Sequence, residues 1–97
     1  MNMQMLMQQA KKMQKDMENV QNELKNMTFT SKQDLVEVTI NGDFEVTDVK
    51  ISNEITSDDA EVLQDMILIA FNDAVKQAKK VKEEKLGNVG SGLAGLF

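Results

Sequence analysis

The sequence predicts an α+β fold in the order helix, three antiparallel strands, helix, with both helices too long for the sheet they flank. Three observations carry this. A heptad run extends from Met3 to Met27, the period drops from 3.5 to 2 directly after it, and carboxylates at Ser57-Asp58-Asp59-Ala60-Glu61 open a second helical run. In the first run, apolar residues step by three and four through Met3, Leu6, Ala10, Met13, Met17, Val20, Leu24 and Met27. Met3, Ala10, Met17 and Leu24 therefore take heptad position a, and Leu6, Met13, Val20 and Met27 position d. So narrow a stripe suits pairing with another helix rather than covering a core. At 1.5 Å per residue the helix would span roughly 39 Å, against a radius of gyration of about 13 Å for a compact chain of this size, so it should project.

After Met27 the strands follow in order. Thr28-Phe29-Thr30 reads as a short first strand ending in the polar Ser31-Lys32-Gln33-Asp34. Leu35 to Ile40 is the second, with Val36, Val38 and Ile40 on one face and Glu37 and Thr39 on the other. Asn41-Gly42 predicts a tight type I′ hairpin, whose two central residues need positive φ. The third strand is Phe44 to Ile51. Phe44 and Val46 share one parity and Val49 and Ile51 the other, so a bulge near Thr47-Asp48 is expected. Ser57 or Asp58 is placed to cap the second helix, with Glu61 completing a capping box and the carboxylates complementing the positive helix end. This helix should run to Leu86 and stop at Gly87. Its first half is broadly apolar, from Val62 to Val75. Its second half narrows to Ala74, Ala78 and Val81 among lysines and should leave the body. The chain divides into a folded unit, 1–86, and a flexible glycine-rich tail, 87–97.

Composition limits the chemistry. With no cysteine and no histidine, the chain cannot form disulfides, thiolate metal sites or His-based catalytic groups, so an enzyme is not expected, nor a cofactor, metal or small-molecule substrate. Gln4, Gln8, Gln9, Lys11 and Lys12 interrupt the Met-rich start, which lacks the continuous apolar segment of a signal peptide or membrane span. A cytoplasmic protein without a membrane partner is expected. Met1, Met3 and Met5 each offer a translation start. The net charge of −5 is unevenly spread: residues 28–73 hold eleven carboxylates against two lysines, whereas 1–27 carry net +1 and 74–97 net +3.

Several runs resemble the YbaB/EbfC family of bacterial nucleoid-associated proteins. They are Leu6-Met7-Gln8-Gln9-Ala10-Lys11-Lys12-Met13-Gln14, Val36-Glu37-Val38-Thr39-Ile40-Asn41-Gly42, Glu45-Val46-Thr47-Asp48-Val49-Lys50-Ile51, and Asp58 to Ile67 running into Ala70-Phe71-Asn72-Asp73-Ala74. The resemblance implies a tweezer-shaped homodimer with projecting helical arms. It also implies a cytoplasmic, nucleoid-associated role, binding duplex DNA with weak sequence preference and affecting nucleoid organisation or gene expression. Two departures matter: the chain has no arginine, and it ends in Leu93-Ala94-Gly95-Leu96-Phe97 rather than a proline-containing tail. Lacking the guanidinium fork that reads guanine, it should contact mainly phosphates.

The candidate DNA-binding residues are Lys11, Lys12 and Lys15 on the first helix and Lys76, Lys79, Lys80, Lys82 and Lys85 on the second. Each cluster has a second reading as a salt-bridged surface, through Lys12–Asp16, Lys15–Glu18, Lys79–Glu83 and Lys80–Glu84. Candidate residues for dimer or helix packing are Leu6, Met13, Met17, Val20, Leu24, Met66, Ile69 and Phe71. The first helix has two possible partners, a second copy or the chain's own second helix. A different functional class also fits the acidic pI and the methionines: a dimeric helical scaffold that grips another protein and leaves DNA alone.

Overall fold

The computed structural model describes residues 2–94, with side chains described through Val89. Its elements are α1 (Met3–Asn26), β1 (Thr28–Gln33), β2 (Val36–Asn41), β3 (Val46–Ile51), a 3-10 turn (Ser57–Asp59) and α2 (Ala60–Ala94). The sheet is antiparallel in the order β1-β2-β3. This is the predicted helix–sheet–helix fold. Its long helices give it extents of 69 × 19 × 13 Å and a radius of gyration of 19.5 Å. No described helix is long and apolar enough to cross a membrane.

The core follows from one face of the sheet. Val36, Val38 and Ile40 alternate inward on β2, joined by Phe29 of β1, and α2 lays Ala70, Ala74 and Ala78 on them. Three alanines four residues apart make a smooth ridge that lets the helix backbone approach the strands closely. The expectation that the Ala74/Ala78 stripe leaves the body is thus wrong: both alanines are fully buried, and α2 leaves the sheet only beyond Val81. Alanine is a good core residue wherever two backbones must come close, and hydropathy alone does not register that.

The bulge lies where the alternation slips. Thr39 pairs with Asp48 and Ile40 with Val46, which leaves Thr47 unmatched. Val46, Val49 and Ile51 are thereby brought opposite Ile40, Val38 and Val36. They nevertheless remain 45–47% exposed, because α2 crosses β1 and β2 and does not reach β3.

Three local expectations are corrected. Asn41-Gly42 does not form a type I′ turn. The loop is Gly42-Asp43-Phe44, closed by Asn41 N–H donating to the Glu45 carbonyl (2.9 Å), and the Asn41 Oδ1 accepts from the amides of Asp43 (2.9 Å) and Glu45 (3.0 Å). The positive φ falls on Phe44 (64°), which sits in the loop instead of opening β3. Gly42 is required for space: its N–H donates to the Leu24 carbonyl at 2.8 Å, and a Cβ would collide with that carbonyl. The helix cap lies earlier than expected, at Thr56, whose N–H and hydroxyl donate to Asp59 Oδ2 at 2.9 and 3.2 Å. Finally, α2 runs through Gly87 to Ala94; residues 95–97 of the expected tail lie outside the described residues. A helical glycine costs only about 1 kcal/mol, which packing of the flanking turns against α1 can offset.

Candidate nucleic-acid interface

Beyond the sheet, α1 and α2 run antiparallel as one arm. Gly42 fastens the last turn of α1 to the hairpin, and Leu24 is buried at this root. Further out, Lys85 Nζ meets Glu23 Oε2 at 2.7 Å, and Val20 and Asp16 share a cleft with Asn88 and Val89. Of the two partners open to α1, the chain's own α2 takes the root of the heptad seam. Leu24 is buried and Val20 and Met13 half-buried, while Met17 and Leu6 are exposed. On α2, Met66 and Phe71 pack against the core and Ile69 faces outward.

The candidate lysines separate into three groups. Lys76, Lys79 and Lys80 are exposed on the face of α2 turned away from the sheet, where they line a shallow groove of about 510 Å³ with Asn72, Val75 and Glu83. Lys82 and Lys85 turn inward to the arm's root: Lys82 Nζ lies 5.3 Å from the centre of the Phe44 ring, and Lys85 is held by Glu23. Lys11, Lys12 and Lys15 are exposed on α1. Among the described residues the ion pairs are Lys85–Glu23 and Lys50–Asp48, so none of the four pairs of the salt-bridged reading forms. All the candidate lysines but Lys85 are thus free of carboxylate partners there: Lys76, Lys79 and Lys80 on the part of α2 that lies over the sheet, Lys82 at the arm's root, and Lys11, Lys12 and Lys15 out along α1. Measured along the helices, Lys76 and Lys11 are roughly 27 Å apart, taking Asp16 and Val89 as the level where the helices meet.

Residues 1–93 match the model of the YbaB/EbfC DNA-binding family. The chain belongs to that family. A relative of this YbaB/EbfC chain in Lactococcus lactis subsp. cremoris, named a nucleoid-associated protein, is 46% identical over 96 residues, covering 96% of this chain and 97% of the relative. One from Acinetobacter baumannii, also named a nucleoid-associated protein, is 40% identical and covers both chains completely. The fold is similar to the crystal structure of the uncharacterized protein HP0035 from Helicobacter pylori, with a TM-score of 0.82 and 26% identity over 91% of this chain and 96% of that one.

Two features of this YbaB/EbfC chain escape a reading by residue type. Asn72 and Glu83 share the lysine groove, a placement that the i, i+4 and i+7 spacings from Lys76 and Lys79 would have revealed. The apolar strip on β3 depends on which strands the helix covers, and no local pattern encodes that.

Proposed function

We propose that this protein is a homodimeric nucleoid-associated DNA binder that grips duplex phosphates through the lysines of its two helices, with little sequence preference. The observation that carries the reading is the lysine groove on α2, three free ammonium groups within little more than one turn, continued out along the arm by Lys11, Lys12 and Lys15. The carboxylates of residues 28–73 repel the duplex, which favours the lysine face of α2 and the arm beyond it. Dimerisation is supported by the uncovered Val46, Val49 and Ile51 on an edge strand, beside the flank of α2 that carries Phe71 and the exposed Leu68. Gln77 Nε2 donates to the Thr30 carbonyl of β1, which turns the opposite flank of α2 toward β3. A second copy would complete that half-open layer.

The test is a fluorescence-anisotropy titration against a random-sequence duplex over a range of salt. If a dimer engages about five phosphates, log affinity should fall against log salt with a slope near −4.5. Replacing Lys76, Lys79 and Lys80 by Glu should abolish binding while light scattering still reports twice the chain mass. Salt-independent binding would defeat the phosphate model.

A further inference from the structure

The distal end of α1 presents an apolar surface that the heptad seam does not account for. Met3, Met5, Leu6 and Met7 are 73, 61, 40 and 58% exposed. Met3 and Leu6 belong to the seam, but Met5 and Met7 fall at positions c and e. At 100° per residue, Met5 points almost opposite Met7, so a helix lying alongside could not cover all four. A helix end with apolar side chains on opposite sides suits an enclosing site. The charge next to it narrows the choice: residues 2–15 contain Lys11, Lys12 and Lys15 and no carboxylate, the first being Asp16. The complementary surface is a cleft with an apolar interior and anionic lips.

We propose that Met3–Met7 enters the major groove of the bound duplex end-on, where its thioethers and Leu6 contact the methyl groups of thymine while Lys11, Lys12 and Lys15 hold the phosphates at the groove's lips. This rests on the DNA-binding reading above. The dimensions agree. The groove is about 12 Å wide and about 8.5 Å deep, wide enough for a helix, whereas the minor groove is about half as wide. Five residues of helix occupy about 7.5 Å, the depth of the groove, and Lys11 lies about 6 Å behind Met7, at the level of the backbone. The thymine methyl is the apolar feature on the groove floor, and thioethers adapt to it without fixed geometry. The consequence is a mild preference for thymine-containing sites in a protein with no arginine to read guanine.

The test changes the DNA and leaves the protein intact. Two duplexes of the same sequence, one with thymine and one with deoxyuridine at every thymine position, are titrated at several salt concentrations. The expected result is weaker binding of the uracil duplex, by about fourfold for each thymine methyl that the helix end touches, with an unchanged salt slope. A combined Met3→Gln, Met5→Gln, Leu6→Gln, Met7→Gln variant, which keeps helix propensity, should bind both duplexes equally. Equal affinity of the wild-type protein for the two duplexes would overturn the proposal, leaving phosphate binding intact. So would binding to phosphatidylglycerol vesicles that the quadruple variant loses while retaining its thymine preference. Failure to bind either duplex at low salt would overturn the DNA-binding reading itself, and this inference with it.

Discussion

Two glycines of this chain should respond to alanine in opposite directions, because one faces a backbone and the other open space. At Gly42 the methyl would meet the Leu24 carbonyl that the glycine N–H now bonds at 2.8 Å. Gly42→Ala should therefore break that hydrogen bond and push the hairpin off the root of α1, destabilising the fold by about 2–4 kcal/mol. Gly87 lies within α2, and a Cβ there meets nothing within 4 Å. Gly87→Ala should stabilise by up to about 1 kcal/mol through helix propensity alone. Urea denaturation of both variants at one protein concentration checks the pair, and a loss of stability at Gly87 would contradict a helix running through that residue. Glu83 supplies another residue-scale test, being a carboxylate exposed within the lysine groove. Removal of its charge by Glu83→Gln should tighten DNA binding about threefold per protomer, the Coulomb effect of one exposed charge within several Å of a phosphate in water. Glu84→Gln, outside the groove, is the control.

At the scale of elements, the packing of α2 on the sheet rests on Ala70, Ala74 and Ala78, and its closeness is a property of their size. Ala74→Leu should force the helix away from Val38 and Ile40 and cost about 1–3 kcal/mol, seen as a lower denaturation midpoint with far-UV helicity retained before unfolding. The same ladder shows what the sequence does and does not carry. Period is local, so the helix–strand–helix order, the alternation of Val36, Val38 and Ile40 and the bulge at Thr47 were all legible. Partnership is not local. Ala74 and Ala78 looked like a weak stripe on a departing helix because nothing nearby in sequence shows that a strand lies beneath them. Asn41-Gly42 looked like a type I′ turn because the pair favours one, but Gly42 is constrained by Leu24, eighteen residues earlier, and the left-handed position passes to Phe44. The lysines divide for the same reason. Lys82 and Lys85 resemble Lys76, Lys79 and Lys80 in type, and only their interactions with Phe44 and Glu23 turn them inward.

At the scale of the whole molecule, shape and charge support one arrangement. With its carboxylates concentrated in residues 28–73 and its free lysines on the outer face of α2 and along α1, the 69 Å particle would meet a polyanion by those helix faces first. One arm offers few phosphate contacts, and a monomer engaging about half of five phosphates would show a salt slope near −2, binding only weakly at moderate salt. In the proposed dimer, two arms joined through the β3 face would act on one duplex, and the second engagement would be intramolecular, which raises apparent affinity without any new interaction. The apolar strip on β3 and the lysines of the helices should therefore be coupled in function although they lie on different elements. Val49→Asp together with Ile51→Asp places charges in a strip that is already about half exposed in the single chain, so the fold should survive while the partner is repelled. Light scattering should then report a single chain mass, and the salt slope measured by anisotropy should fall to about half, with every lysine intact. A variant that becomes monomeric yet keeps the full slope would mean that one arm makes all the phosphate contacts, and the two-armed grip would have to be abandoned.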